Sequence, residues 1–308
     1  MGIRGSDTHS LMFTDVKVPK ENRIGDDGFG FNFAMAVLNG GRIGIASQAL
    51  GIAKGAFELA LQYAQDRKAF GKEIFKHQAI AFKLADMATQ IAAAEMLVLK
   101  AASEKDAGQD ISQSGAMAKL FASQTAMDTT IEAVQIHGGY GYTKDQGIEQ
   151  LFRDNRITPI YEGTNGIQAM DLVGRKIISD GGLGARELIS EMKECTKNPA
   201  IVELVSVSQL KRFSKSIDDL DSTITIILNH SDNKELVGKI AFDTLMMAGT
   251  ITASWQMLLS LDRASNAVNN HKSSAEFLKE KADTVKHFID FILPRYLSSF
   301  TTISASAE

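Results

Sequence analysis

Proline is scarce in this chain: Pro19, Pro159, Pro199 and Pro294 are its four in 308 residues, and residues 20–158 contain none. A proline inside a helix removes a backbone donor and clashes with the preceding turn. A long proline-free stretch rich in Ala, Leu, Met and Ile can therefore stay helical over many turns. The apolar periodicity agrees with long helices. From about Asn32 onward Phe33, Val37, Gly41, Gly44, Ile45, Gln48, Ala49 and Ile52 recur at three- and four-residue steps, and the pattern runs on through "AFELALQYAQDRKAF" to a stop at Gly71. The small residues of "LNGGRIGIASQALGIA" (38–53) predict that a helix or a ligand approaches this backbone closely. A second helix fits 76–105, a third 112–136, and a fourth begins near Thr164 and ends within 179–184. Helices of this length joined by short connections predict an antiparallel bundle.

The flanks read differently. Residues 8–18, "THSLMFTDVKV", alternate Leu11, Phe13, Val16 and Val18 with polar residues, which predicts one or two strands ending at Pro19. Beyond the bundle, further helices are expected at 185–196, 199–228, 233–268 and 273–299, with a frayed tail "TTISASAE". The expected fold class is mainly α: an antiparallel four-helix bundle, a short β remnant at the N-terminus and an extra C-terminal helical segment. The expected divisions are 1–27, 28–184 and 185–308.

Charge narrows the function classes. Net charge is −4, and Lys and Arg are spread along the sequence instead of forming a stripe, which argues against nucleic acid as a partner. No apolar run is read as a membrane span. The single cysteine, Cys195, has no Cys or His at ligand spacing, so neither an intrachain disulfide nor a metal site is expected. An aqueous, reducing interior is the expected location, bacterial cytoplasm or mitochondrial matrix. Gly-rich dinucleotide, Walker A, HExxH and GxSxG patterns are missing.

Four stretches could carry chemistry. In "IYEGTNGIQ" (160–168) Glu162 stands between apolar Ile160 and Tyr161 and a Gly-Thr-Asn-Gly turn. A glutamate near a helix start is explained by the helix dipole alone, but partial desolvation there would also suit a general base. In "QIHGGYGY" (135–142) a helix ends in three glycines within four residues. That is either a simple stop or a loop whose bare N–H groups approach a ligand. "DRKAFGK" (66–72), followed by Gln78, places Arg67 at a helix end, where it clamps a phosphate or pairs with an acid. Arg42, in the small-residue face of the first helix, needs a partner.

Together, and in this order, these stretches resemble the acyl-CoA dehydrogenase family. "GIRGSDTHSLMFTDVKVPKENRIGDDGFGF" looks like the end of its middle β-domain. "GGRIGIASQALGIAKGAFELALQYAQDRKAFGK" looks like the first helix of its flavin domain, and "QIHGGYGYTKD" with "LFRDNRITPIYEGTNGIQ" like its flavin and catalytic segments. The resemblance covers residues 1–180, and the later helices resemble in general character a subgroup with an added C-terminal helical domain. It implies the C-terminal portion of a longer FAD-dependent enzyme that oxidises an acyl-CoA thioester at Cα and Cβ, passes electrons to an electron-transferring flavoprotein, and forms a homo-oligomer, dimer or tetramer.

By the same resemblance Glu162 is the base that takes the α-proton, and its backbone N–H polarises the thioester carbonyl. Arg67, Phe70, Gln78, Gln135, Ile136, His137, Gly138, Gly139, Thr164, Asn165 and Gly166 are implied flavin contacts, the 135–139 loop reaching the flavin of a neighbouring subunit. Asn39, Gly40, Gly41, Arg42, Tyr161 and Gly163 are implied on the substrate side. Some relatives carry the base beside the arginine, at the position Gly41 occupies here, which agrees with Glu162 as the base. Asn39 stands where short-chain relatives often have Asp. Two other readings remain: a flavin oxidase of the same fold, and a catalytically silent helical module for oligomerisation or partner binding.

Overall fold

The structure, a computed structural model, describes residues 1–6 and 8–307. Its first half is built on α1 (Gly30–Asp66), α2 (Gln78–Asp106) and α3 (Ser112–His137). Between α1 and α2 a small hairpin pairs β1 (Lys68–Ala69) antiparallel with β2 (Lys72–Glu73), turning at Phe70 and Gly71. Cross-helix ion pairs fix the directions. Lys54 meets Glu95 at 2.6 Å and Lys83 meets Glu132 at 2.5 Å, so each helix runs antiparallel to the one before it.

An alanine seam on α1 sets the close packing against α3. Ala46, Ala49, Ala53, Ala56, Ala60 and Ala64 recur at three- and four-residue steps and are fully buried. The glycines expected to create that approach do not. A side-chain carbon at Gly44, Gly51 or Gly55 would meet nothing within 4 Å; among the α1 glycines Gly41 is the one against a carboxylate. Helix α3 is buried on nearly all sides. Its internal hydroxyls are satisfied locally, Thr130 donating to the Ala126 carbonyl at 2.8 Å and Ser123 to Leu120 at 3.0 Å.

Two short helices that the periodicity did not mark follow, α4 (Gly139–Tyr142) and α5 (Ile148–Asn155). The fourth bundle element is α6 (Asn165–Met170), continued by wider π turns over Asp171–Ile178. The second half comprises α7 (Leu183–Cys195), α8 (Pro199–Leu204), α9 (Val207–Asn229), α10 (Lys234–Asn269), α11 (Ala275–His287) and α12 (Tyr296–Ala307).

Three expectations are corrected here. The segment 8–18 forms no strand: Leu11, Met12, Phe13, Val16 and Val18 are exposed, and an alternating segment without a partner strand has nothing to pair with. The helix expected over 199–228 is two, because Val205 is extended and Ser206 opens α9 with a capping box to Gln209. The helix expected over 273–299 is interrupted by π turns at Phe288–Ile292 and a 3₁₀ turn holding Pro294. Its continuation, α12, runs through Ala307 instead of fraying, anchored by fully buried Ile303; Glu308 of that tail lies outside the described residues.

Helix α10 is the hub of the second half and packs on α12, α11, α2, α6 and α3. Contrary to the sequence reading, it is long and apolar enough by composition to cross a membrane, but 61% of its most apolar window is buried within the protein. One continuous apolar core runs from Ile43 on α1 to Ile303 on α12. Cys195 is part of it, and burial pushes its thiol up to about 12, away from thiolate chemistry.

Candidate active site

The loop from α5 to α6 is fixed before it reaches Glu162. Thr158 is buried and donates to both the backbone and the side-chain oxygen of Asn155, each at 3.0 Å. The Tyr161 hydroxyl donates to Gln48 Oε1 at 2.5 Å, tying the loop to α1, and burial raises its pKa above the ordinary phenol value. The chain then passes through two left-handed residues in succession, Glu162 at φ 55° and Gly163 at φ 84°. Glycine adopts this region freely; an L-residue such as glutamate is strained there by about 1–2 kcal/mol. Thr164 caps α6, its Oγ1 accepting from the Ile167 N–H at 3.2 Å, and the Asn165 N–H closes the loop on the Pro159 carbonyl at 3.1 Å.

This strained pair aims the acid at α1. A carbon built on Gly41 would lie 2.6 Å from Glu162 Oε2, so the bare glycine is the space in which the carboxylate sits. Next on α1 is Arg42, buried, with Nη1 donating to Asn39 Oδ1 at 2.9 Å and lying 3.8 Å from Asp171 Oδ2. Burial lowers its pKa from the ordinary guanidinium value, against Asp171 and Glu162, which favour the charge. On the far side of the turn a carbon at Gly163 would lie 2.1 Å from Gln168 Nε2. Asn39, Gly41, Arg42, Glu162, Gly163 and Asn165 are thus one constellation.

Unfinished hydrogen bonding marks this place. Among the described residues Arg42 Nε and both amide atoms of fully buried Gln168 have no partner. Among the described residues the N–H of Glu162 also makes no hydrogen bond to the chain. A donor without a partner thus stands beside a carboxylate acceptor, a pair open to a polar ligand.

A second cleft lies at the other end of α1. It has a volume of about 530 Å³ and is lined by Tyr63, Arg67, Ile74, Ile136, His137, Gly138, Gly139, Tyr140 and Thr143. His137 is buried, stacks on Tyr63 with centroids 4.3 Å apart, and its Nδ1 lies 2.8 Å from the Ala133 carbonyl. Gly138 ends α3 at φ 60°, ψ −134°, a conformation that glycine alone adopts readily and that turns the chain into α4. Four of the implied flavin contacts, Ile136, His137, Gly138 and Gly139, therefore gather around Arg67.

The remaining implied contacts are not gathered. Phe70 is 97% exposed at the hairpin tip; Gln78 and Gln135 are exposed and do not line the cleft. Thr164 and Gly166 are exposed on α6, and Gly40 faces Lys105. Arg42 and Arg67 are separated along α1 by roughly 37 Å at 1.5 Å per residue, so the two constellations are distinct surfaces of one chain.

Sequence reasoning missed Lys119. This lysine of α3 is fully buried and donates through Nζ to the Gly163 carbonyl at 2.9 Å and to Asn165 Oδ1 at 3.2 Å. Its signal was present: in "SGAMAKLFAS" it sits among small and apolar residues with no acid three or four positions away. Gln48, Gln168 and Asp171 carried no such mark, being ordinary polar positions in helical sequence.

Comparison with known proteins covers most of the chain. Residues 28–177 match the family model of the acyl-CoA dehydrogenase C-terminal domain, and residues 188–308 match one described as acetyl-CoA dehydrogenase C-terminal like. The short-chain specific acyl-CoA dehydrogenase of Clostridium acetobutylicum is 51% identical over 175 residues, 57% of this chain and 46% of that protein. The butyryl-CoA dehydrogenase structure from Megasphaera elsdenii aligns with TM-score 0.51 and 53% identity over 51% of this chain and 41% of that one. An acyl-CoA dehydrogenase from Bacillus anthracis covers 94% of this chain and 51% of its own, with TM-score 0.74 and 24% identity, and so shares the fold including the C-terminal helices. The chain spans about half the length of the curated relatives it matches.

Proposed function

Because the chain belongs to the acyl-CoA dehydrogenase family, we propose that it serves α,β-dehydrogenation of an acyl-CoA thioester with Glu162 as the base. The observation that carries this reading is the left-handed Glu162–Gly163 pair, which seats a carboxylate in the gap left by Gly41, beside an N–H without a partner among the described residues.

The residues present fit the reaction. An α-proton of a thioester becomes acidic when negative charge on the carbonyl oxygen is stabilised, and in this reading the Glu162 N–H donates to that oxygen. Glu162 then takes the α-proton onto a carboxylate oxygen. Arg42 is held beside this acid by Asn39 and Asp171. FAD, when bound, supplies the acceptor for the hydride leaving the β-carbon. The groups of this chain that would hold it are Asn165, Thr164 and Gly166 on α6, and, around the cleft, Arg67 and the Ile136–Gly139 turn. These sets lie far apart along α1, and on the strength of the family resemblance each serves a different flavin, so the reading includes a second copy of the chain whose cleft completes the first copy's site. An electron-transferring flavoprotein is the proposed acceptor of the electrons, on the strength of the family alone.

Glu162→Gln in the flavin-loaded protein tests the assignment. The neutral amide keeps the size and cannot take the proton, so flavin stays bound while bleaching by acyl-CoA slows by about 10²-fold or more. Bleaching at the unaltered rate removes Glu162 from the mechanism.

A further inference from the structure

We propose that Lys119 is a positioning residue for this reaction: its buried ammonium locks the left-handed Glu162–Gly163 turn and so presents the Glu162 carboxylate beside Gly41. The inference rests on Glu162 being the base. It starts from an anomaly of burial. Lysine keeps its head group in water in nearly all proteins, yet Lys119 is fully buried, and among the described residues its hydrogen-bond partners are neutral. Both partners belong to the site loop. The Gly163 carbonyl accepts at 2.9 Å, and Asn165 Oδ1, which also meets Ser123 Oγ at 3.4 Å, accepts at 3.2 Å.

The geometry explains why a cation is used. Beside the two left-handed residues the Gly163 carbonyl meets the fully buried head of Lys119, and an acceptor left unpaired against that interior is costly. A charge-assisted donor from the central helix α3 fixes that carbonyl more firmly than a neutral donor does. It simultaneously holds the first residue of α6 through its side chain. The turn is pinned from the inside at two points, and the strained conformation of Glu162 is the one that remains.

The surrounding charges couple Lys119 to the acid. Burial lowers its pKa to about 8; Arg42 of α1 pushes in the same direction, and Glu162 opposes them. Arg42 is itself faced by Asp171 at 3.8 Å, and Asp171 by Arg175 at 3.0 Å, so the set comprises two carboxylates and three cations. The sign follows. Below about pH 8 Lys119 is charged in the folded protein, and its tie to Glu162 is strongest. Between that value and the ordinary lysine value of 10.5 the unfolded chain holds the proton and the folded one does not. Folded stability therefore gains from Lys119 as pH rises through that window.

The test has a readout that needs no cofactor. In the chain with isotope-labelled lysine, the Lys119 side chain titrates near pH 8 by NMR, and Glu162→Gln, which deletes the charge that favours the ammonium, moves the midpoint down by about 0.3 pH unit or more. An unmoved midpoint overturns the coupling. In the flavin-loaded protein, Lys119→Met, of similar length without donor or charge, lowers kcat about ten-fold or more and leaves KM within about three-fold. Lys119→Gln, which keeps a neutral donor, recovers part of the loss. Both variants within about two-fold of the parent kcat overturn the inference while leaving Glu162 as base. If Glu162→Gln itself turns over normally, the base assignment fails and this inference with it. Should Lys119→Met not fold, the NMR titration alone decides.

Discussion

At the residue scale the site is built from one acid, one missing side chain and one strained backbone pair. Gly41 shows how these depend on each other, because the three atoms nearest a carbon added there are those of the Glu162 carboxyl group. Gly41→Ala substitutes a strong helix former in the helical α1 and favours the helix by up to about 1 kcal/mol. The same methyl group displaces the Glu162 carboxylate, and for the proposed base a displacement of about 1 Å costs on the order of 10²-fold in rate. The expected outcome is an unchanged or raised melting temperature with turnover lowered at least about ten-fold, checked by calorimetry and steady-state kinetics on one preparation. A variant with normal turnover would show that Glu162 does not work from the position seen. The acid itself was legible from "IYEGTNGIQ", and the left-handed conformation was not, since nothing in that string separates a glutamate in a turn from one in the first turn of a helix.

At the element scale the same loop depends on how α6 begins. Thr164 accepts from the Ile167 N–H and so ends the left-handed turn by starting a helix. Thr164→Ala removes that acceptor and should destabilise the protein by about 1 kcal/mol in denaturant titrations, with Thr164→Ser restoring most of it. A loss shared equally by both variants would show that the methyl contact and not the cap matters. The long helices were legible because their periodicity runs over many turns: the observed limits Gln78–Asp106 and Ser112–His137 fall within two residues of those expected. Shorter elements were not. Helix α5 has eight residues, too few for a period to stand out, and the break before α9 is decided by a side-chain cap at Ser206, a signal one residue wide.

At the scale of the whole molecule the two halves are one body, held by the continuous core and by a polar link. Asp86 on α2 lies 2.9 Å from His287 Nε2 at the end of α11, and its other oxygen lies 2.6 Å from Arg295 Nη2. The three groups are partly exposed, so screening keeps the link modest. Asp86→Ala is expected to cost on the order of 1 kcal/mol, a fall of about 2 °C in Tm, while both halves still melt in one transition. Two separated transitions in that variant would mean that the polar link, and not the shared core, joins the halves. The C-terminal helices also set the site from behind, because α10 packs on both α3, which carries Lys119, and α6, which carries Asn165.

The sequence by itself determined the long helices, through proline scarcity and apolar period, and the family, through four ordered motifs. It also marked Glu162 and Arg42, because an acid in a glycine-rich turn and an arginine in a small-residue face each call for an explanation. The tertiary structure alone decided that Gly41 and Glu162 share one space, that Lys119 reaches the turn from α3, and that the Arg67 cleft lies apart from the base. The physical reason is range. Period, propensity and capping act within a few residues along the chain, whereas a pinned turn and a seated carboxylate depend on side chains 44 and more residues apart that only packing brings together.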